Sequence, residues 1–208
     1  MARYAEAVCK LCRREGQKLF LKGERCYGEK CGVVKKAYAP GQHGKGRKKN
    51  SEYGLQLRAK QSTRRFYGIL ENQFRKYYEL AEKKKGKSGE ILLALIESRF
   101  DNIIYRLGFA SSRTQARQMV LHGHFFINNS KVNIPSCLLK PSDIVSLSEK
   151  SKSNSNIKDI ISSNESRPVP RWLEVDRERL EGKMLAIPER EDIDFEVEET
   201  LIVELYSK

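Results

Sequence analysis

Residues 98–145 read SRFDNIIYRLGFASSRTQARQMVLHGHFFINNSKVNIPSCLLKPSDIV, and this stretch decides the fold. Its first part predicts a helix over residues 101–107. Ser112, followed three residues later by Gln115, forms a capping-box pattern and predicts that a second short helix begins there. After Gly123 the apolar residues recur at every second position, which is the period of a β-strand. We therefore expect two helices that pack on a few short strands.

A β-hairpin is predicted at the end of the same stretch. The strand-like runs 125–127 and 132–134 flank residues 128–130, which read Asn-Asn-Ser. Asparagine tolerates the positive φ angles that a tight hairpin turn requires. Residues 143–147 predict a third short strand. The sheet should therefore be small and antiparallel.

Two arginines one helical turn apart are candidate phosphate contacts. Arg113 and Arg117 share one face of the second helix, where two cations can grip successive phosphates, although a solvated helix surface is the alternative. His122 and His124 form an HxH pair at the helix-to-strand corner, but zinc there would need a further ligand. We predict structural or RNA-contacting roles for both histidines.

The positive charge is concentrated near the N-terminus. The chain has 40 Lys and Arg against 27 Asp and Glu, and residues 1–65 alone account for its net charge of +13. Such a block favours phosphate backbones as partners. A membrane is disfavoured because the longest apolar run, 91–96, is far shorter than the ~20 residues of a spanning helix, and no signal sequence follows Met1. We expect a soluble, cytoplasmic protein without a small-molecule substrate.

Four of the five cysteines lie within the first 31 residues, at Cys9, Cys12, Cys26 and Cys31. A CxxC pair and a CxxxxC pair can supply the four thiolates of one tetrahedral Zn²⁺ ion. An iron–sulfur cluster, disulfides and unligated thiols remain alternatives, although clustered cysteines in a reducing cytosol are more often metal ligands. We predict one structural zinc, which would stabilise a segment that has few large apolar side chains.

A glycine-rich basic arm is predicted over residues 35–54, which contain almost no apolar residue. Its cationic run comprises Lys45, Arg47, Lys48 and Lys49. Tyrosines and a histidine in the same segment can stack on bases or riboses. The alternative is a solvated tail without a partner.

Helices are predicted on both sides of the lysine-rich stretch 83–86. Apolar residues within 66–81 recur in steps of three and four, as on one face of a single core helix. Ser88 is a candidate N-cap for the next helix. Residues 148–166 are rich in Ser and Asn, so we expect a helix restricted to 156–161, with a linker as the alternative.

The C-terminal segment predicts a strand with an acidic surface. Residues 189–206 contain eight acidic side chains and one basic side chain, Arg190, and their apolar residues alternate at strand period. A negative segment has little use against RNA. We therefore expect it to pair with the basic face of the chain or to meet a protein neighbour through Glu198, Glu199 and Tyr206.

The stretch 98–145 resembles the small RNA-binding module called S-four, in which two helices pack on a few short strands. Further motifs resemble the bacterial small-subunit ribosomal protein S-four family over nearly the whole chain. These motifs are MARY at 1–4, RREG at 13–16, APGQHG at 39–44, YGLQLRAKQ at 53–61, RWLEVD at 171–176 and LIVELYSK at 201–208.

The resemblance implies a structural component of the small ribosomal subunit that has no catalytic activity. Members of the family bind the 5′ domain of 16S rRNA, nucleate its folding, and contact ribosomal protein S-five at an interface that affects translational accuracy. Ribosomal protein S-three is a further expected neighbour. The basic arm of the family lies near the mRNA entry channel, and some members repress translation of their own operon. Some members lack the four cysteines, so the zinc prediction rests on the spacing in this chain.

Two rival classes fit less well. A pseudouridine synthase can carry the same module, but it needs a sizeable catalytic domain for which no room remains. A zinc-dependent transcription regulator would read bases with a helix, whereas a glycine-rich arm follows the cysteines here.

The sequence therefore predicts an α+β fold, with a mainly helical RNA-binding body, an inserted S-four module and an N-terminal four-cysteine zinc segment. The predicted domains are 1–45 for the zinc-binding segment, 46–90 plus 176–208 for the body, and 91–175 for the module and its linker. The predicted RNA contacts are basic residues and one histidine: Arg3, Arg13, Arg14, Lys45, Arg47, Lys48, Lys49, Arg58, Lys60, Arg64, Arg65, Arg99, Arg113, Arg117, His122 and Lys131.

Overall fold

The computed structural model describes residues 4–46, 49 and 51–207. Their helices are α1 Cys9–Glu15, α2 Gly32–Lys35, α3 Glu52–Phe66, α4 Glu71–Glu82, α5 Ser88–Glu97, α6 Phe100–Arg106, α7 Arg113–Leu121, α8 Glu149–Lys152, α9 Ser155–Ser163 and α10 Glu199–Tyr206, with 3-10 turns at Gly23–Cys26 and Arg190–Asp192. Their strands are β1 Phe125–Ile127, β2 Ser130–Lys131, β3 Ile144–Leu147, β4 Leu173–Asp176 and β5 Glu181–Met184. Helices with one small antiparallel sheet make the fold α+β, as predicted.

The chain divides into two compact units. Met1–Leu92 and Phe195–Lys208 form the first, which we call the helical unit, and Leu93–Asp194 forms the second, which we call the sheet unit. This division differs from the predicted domains, which assigned residues 176–194 to the helical body. The difference arises because β4 and β5 pair with each other, and β5 also pairs with β3.

The predicted single helix over residues 66–81 is wrong, because the chain forms two helices there. α3 ends at Phe66, and α4 begins at Glu71. Gly68 between them has a φ of +67°, a left-handed conformation that glycine adopts without steric cost. The amide of Ile69 then closes the end of α3 by donating to the carbonyl of Arg64 at 2.9 Å.

The predicted C-terminal strand is also wrong, since residues 199–206 form the helix α10, which packs on α3. Ile202 is fully buried, and Tyr206, one turn later, stacks on Tyr78 with ring centroids 4.6 Å apart. Phe195 precedes the helix and stacks on Phe66 at 4.2 Å. A helix lets these apolar residues cover α3 and α4 from one side.

The sheet unit is built on five antiparallel strands in the order β2-β1-β3-β5-β4. The predicted hairpin turn is confirmed, since Ile127 pairs with Ser130 across Asn128 and Asn129, whose φ angles are +48° and +62°. The second strand differs from the prediction, because it is Ser130–Lys131 and residues 132–134 lie outside the strands. Gly182 lies opposite Val145 in the sheet, and a Cβ there would lie 2.4 Å from a methyl of Leu107. The last residues before Gly108 therefore pack directly on β5.

The helices of the sheet unit follow the sequence signals closely. Ser112 caps α7 by accepting a hydrogen bond from the amide of Gln115 at 3.3 Å. The side-chain oxygen of Gln115 accepts a hydrogen bond from the amide of Ser111 at 2.8 Å. A capping box would use the amide of Ser112, so the bond lies one residue earlier than predicted. The expected helix over 156–161 lies within the longer α9, but the segment is more helical than predicted because α8 precedes it.

A single apolar core holds the sheet unit together. Phe100, Phe109 and Phe125 are buried in it, and the rings of Phe109 and Phe125 lie 6.0 Å apart. Trp172 is 3% exposed and joins the same core. Among the described residues, no helix has the length and the apolar content needed to cross a membrane.

Candidate nucleic-acid interface

The four N-terminal cysteines converge where α1, the first 3-10 turn and α2 meet. Cys12, Cys26 and Cys31 are buried, and Cys9 is half-buried against the start of α2. Burial raises the pKa of the Cys12 thiol; the backbone of Leu19 opposes this rise, and the other three cysteines add to it. The thiol of Cys12 therefore senses the other three cysteines.

Sulfur ligands of metal ions commonly accept hydrogen bonds from neighbouring groups. The backbone amide of Lys22 donates such a bond to the sulfur of Cys26 at 3.3 Å. Cysteine thiolates are the type of ligand that Zn²⁺ prefers, and this bond would suit a bound Cys26 thiolate. Across residues 4–46, 49 and 51–207, however, no three His, Cys, Asp or Glu side chains are placed as the ligands of a metal ion.

Arg13 anchors the beginning of the basic arm to α1. Its Nε donates to the carbonyl of Tyr38 at 2.9 Å, and its Nη2 donates to the carbonyl of Ala39 at 3.4 Å. The guanidinium lies over the Tyr38 ring, 4.9 Å from its centroid, and the Nζ of Lys45 lies 5.2 Å from the same centroid. The Tyr38 ring thus contacts two cations, and these contacts hold the first residues of the arm against α1.

Several of the predicted arm contacts are exposed. Lys45 and Lys49 face solvent, as does Arg14 at the end of α1. The predicted contacts Arg3, Arg47 and Lys48 lie outside the described residues.

The helix α3 carries four predicted contacts, and each has an acceptor within the helical unit. Arg58 and Arg65 both bind the carboxylate of Glu15. Lys60 donates to Glu71 at 2.8 Å, and Arg64 donates to the side chain of Gln61 at 2.7 Å. The side chains of Arg58 and Arg65 are 29% and 19% exposed, so part of each reaches the surface.

Glu71 links α3 to the C-terminal helix α10. The hydroxyl of Tyr206 donates to its carboxylate at 2.8 Å. Burial works to raise the pKa of Glu71, but the hydrogen bonds from Lys60 and Tyr206 outweigh it and lower that pKa. Burial and this carboxylate raise the pKa of Tyr206. Tyr206, a predicted interface residue, is therefore held inside the helical unit.

The other two predicted interface residues lie at the start of α10. Glu198 is exposed, and Glu199 is half-buried where its side chain covers Gly89. The role of all three residues in protein contact stays a prediction.

In the sheet unit, two of the predicted contacts form its internal frame. Arg99 is 2% exposed and donates to both carboxylate oxygens of Asp101, at 2.9 and 2.6 Å. Arg113 is 8% exposed, and its Nε donates to Asn102 at 2.8 Å. Arg117 donates to Asp101 at 3.1 Å. Arg113 and Arg117 therefore do not form the exposed pair that the sequence suggested, and their contact with RNA stays a prediction.

Arg167, which was not among the predicted contacts, belongs to this frame. Its guanidinium lies 4.6 Å from the centroid of Tyr105, and that of Arg113 lies 4.4 Å from the same centroid. Arg167 also donates to the carbonyl of Ala110 at 3.0 Å. Nothing in its local sequence indicates this role, because Tyr105 is 62 residues away.

The hairpin corner forms a second basic surface. His122 and Lys131 are exposed, and the Lys131 side chain covers Gly123. The Nδ1 of His124 lies 2.8 Å from the hydroxyl of Ser151. Burial lowers the pKa of His124, and the neighbouring positive groups of His122 and Lys131 lower it further. Neither histidine is placed as a metal ligand within the described part of the chain.

A groove of about 500 Å³ opens beside this corner. Lysines 131, 150 and 152 line it together with Phe126, and two glutamates balance part of their charge. The aromatic ring and the amines suit an RNA strand, although one amine, that of Lys152, is paired with Glu149 at 2.8 Å.

Comparison with known proteins covers both units. The family described as "Ribosomal protein S4/S9 N-terminal domain" matches residues 3–97, and the family described as "S4 domain" matches residues 98–145. The chain is 61% identical to small ribosomal subunit protein uS4A of Alkaliphilus oremlandii. It is 57% identical to uS4 of Ruminiclostridium cellulolyticum and 57% identical to uS4 of Clostridioides difficile. Each similarity extends over 100% of both chains.

Proposed function

Since the chain belongs to the uS4 family of small ribosomal subunit proteins, we propose that its basic surfaces bind the 5′ domain of 16S rRNA and nucleate assembly of that domain. Membership makes the chain a structural, rRNA-binding component of the small ribosomal subunit and not an enzyme. Its proposed place is the cytoplasmic ribosome.

One observation carries the proposal for the 5′ domain. All of the net charge of +13 belongs to residues 1–65, and this segment presents exposed cations on α1 and on the arm. Each phosphate that such a surface neutralises releases counterions, so binding should weaken steeply with salt.

Filter binding to 5′-domain RNA tests this mechanism. With six to ten phosphate contacts, affinity should fall by roughly 10³ to 10⁵ between about 50 and 200 mM salt. An affinity that stays constant over this range would contradict the proposed phosphate contacts.

We propose that the shape of the RNA junction supplies specificity. The deep major groove of A-form RNA is closed to side chains, so base edges within duplexes contribute little. Junction RNA should therefore bind more tightly than a perfect duplex of the same length and composition. Equal affinity for the two RNAs in a competition assay would refute this source of specificity.

We also propose that the arm binds mRNA at the entry channel. The cations of Lys45 and Lys49 are exposed, and the Tyr38 ring fixes the start of the arm. Ribosomes that carry Lys45→Gln with Lys49→Gln should translate structured mRNA more slowly than unchanged ribosomes do. Their rate on unstructured mRNA should stay the same. The matched control, Lys84→Gln with Lys85→Gln, removes two exposed cations after α4 and should have no such effect. An equal effect of the two pairs would argue against an arm-specific role.

Ribosomal proteins S-five and S-three are the proposed protein partners, and the acidic surface near Glu198 supports this because its charge disfavours RNA. With S-five, the protein would contribute to translational accuracy. Glu198→Lys should weaken crosslinking to S-five in assembled subunits without affecting rRNA affinity.

Repression of the protein's own operon is a further proposal, and binding of the operon leader mRNA tests it.

We propose that Cys9, Cys12, Cys26 and Cys31 hold one structural zinc ion. Two observations support this: Cys12 senses the other three cysteines, and the amide of Lys22 donates a hydrogen bond to the sulfur of Cys26. When bound, the ion would fix the two ends of the segment relative to each other.

Elemental analysis should find one zinc per chain, and iron in its place would identify an iron–sulfur cluster. Cys9→Ser should abolish metal binding. Cys137→Ser, in the sheet unit, is the matched control and should retain the metal. A purified protein with well below one metal ion per chain would overturn the proposal.

A further inference from the structure

Glu15 is a buried acid within the most basic part of the chain. It is the last residue of α1, and its side chain is 1% exposed. Arg58 donates to its carboxylate at 3.0 Å, and Arg65 donates to the same oxygen.

The two arginines approach the acid from one face of α3. They are seven residues apart, so they lie about 10 Å apart along the helix axis and on the same side of it. Their long side chains would otherwise repel each other and sample many rotamers. A single carboxylate between them removes the repulsion and restricts both guanidinium groups.

Each arginine keeps donors that Glu15 does not use. A guanidinium has five N–H donors in a rigid plane, and the Glu15 carboxylate receives a hydrogen bond from one nitrogen of each arginine. The Nε of Arg65 is buried and has no hydrogen-bond partner within the described residues. Both side chains also remain partly exposed, so their outer nitrogens can meet a phosphate.

We infer that Glu15 is a positioning residue for RNA binding, which holds Arg58 and Arg65 in the arrangement that contacts phosphates. This inference rests on the proposed role of the α3 surface in binding rRNA. Gln17 also joins the end of α1 to α3, because its side-chain amide donates to the hydroxyl of Ser62 at 2.5 Å. Glu15 follows Cys12 by one helical turn, so the cysteine cluster and the arginines of α3 are joined through α1.

Glu15→Gln gives a test in which two effects have opposite signs. The substitution removes a negative charge, so general electrostatics predicts tighter RNA binding. The positioning role predicts weaker binding, by roughly tenfold, because two charge-assisted contacts lose their fixed geometry. Measurement of affinity for 5′-domain RNA over a salt series decides between them.

Glu29→Gln is the matched control. Glu29 is exposed in the same segment, and its substitution changes the net charge by the same amount. We expect this variant to bind RNA as tightly as the unchanged protein or more tightly. If Glu15→Gln also binds as tightly or more tightly, the inference is overturned.

A second readout separates lost phosphate contacts from a general loss of structure. If two arginines no longer contact phosphates, the slope of log affinity against log salt should become shallower by about two. A misfolded α1 would instead appear as loss of helix signal in circular dichroism. In that case Glu15→Asp, which keeps the charge but shortens the side chain, replaces the first variant and should also weaken binding. Unchanged affinity in a folded Glu15→Asp protein would count against the inference.

The arginines themselves distinguish failure of this inference from failure of the proposed function. Arg58→Gln and Arg65→Gln should each weaken RNA binding. If neither does, the α3 surface is not an RNA contact and both ideas fail there. If both weaken binding and Glu15→Gln does not, the surface binds RNA without the help of Glu15.

Discussion

Contacts of single side chains decide which cations of this chain are exposed and which are used internally. Arg13 uses its guanidinium to bind two carbonyls and the ring of Tyr38, so its main role within the helical unit is to fix the arm. Arg99 and Arg113 are likewise internal. A basic residue in an RNA-binding protein can therefore serve the RNA indirectly, by fixing the backbone that carries other cations.

We expect Arg13→Gln to release the start of the arm. The substitution removes the cation over Tyr38 and at least one of the charge-assisted hydrogen bonds, which are worth about 1.5–3 kcal/mol each. Hydrogen exchange of residues 36–46 should become faster. Lys10→Gln removes an exposed cation from the same helix and serves as the control. Equal exchange in the two variants would contradict the anchoring role.

The sequence located the candidate site better than it located the side chains within it. Charge density identified the basic segment, whereas the metal site that the cysteine spacing suggested stays a prediction. Whether a given arginine faces solvent depends on partners far along the chain, as with Arg65 and Glu15, which are 50 residues apart. Local periodicity carries no information about such pairs.

Among the elements, the helices with strong end signals were predicted well. Ser88 and Ser112 mark the beginnings of α5 and α7, and Gly108 follows α6 closely. The two failures have a common cause, since short apolar patterns fit more than one structure. Residues 66–81 kept helical spacing across the break at Gly68, and residues 199–206 alternated although they form a helix that tertiary packing selects.

The contact of α3 with α10 should weaken in acid. The pKa of Glu71 is lower in the folded protein than in the unfolded chain, so its ionised form stabilises the fold at higher pH. This contribution is lost as the pH falls through the folded-state value. Because the side chain is 40% exposed, we expect an effect of less than about 1 kcal/mol.

Urea unfolding of Glu71→Gln measures this effect. The variant should be less stable than the unchanged protein at neutral pH, and the difference should shrink in acid. Glu82→Gln, at the exposed end of α4, should show no comparable trend. A difference between Glu71→Gln and the unchanged protein that stays constant with pH would rule out the proposed role of the ionised carboxylate.

At the scale of the whole molecule, the two units have separate cores and should respond separately to metal removal. The cysteine cluster lies in the helical unit, whereas the core of Phe100, Phe109 and Phe125 lies in the sheet unit. If zinc is bound as proposed, a chelator should accelerate hydrogen exchange in residues 4–46 and leave residues 93–194 unchanged. Equal acceleration in both regions would show that the metal is not confined to a local structural role.

The division of the chain also has a consequence for synthesis. The helical unit begins with the first residues but needs α10, at the far end, to cover α3. The sheet unit needs nothing beyond residue 194. As the nascent chain leaves the ribosome, the middle of the sequence can therefore complete its core while the older N-terminal segment still waits for its last helix. Folding of the sheet unit can thus precede folding of the helical unit, although the helical unit is translated first.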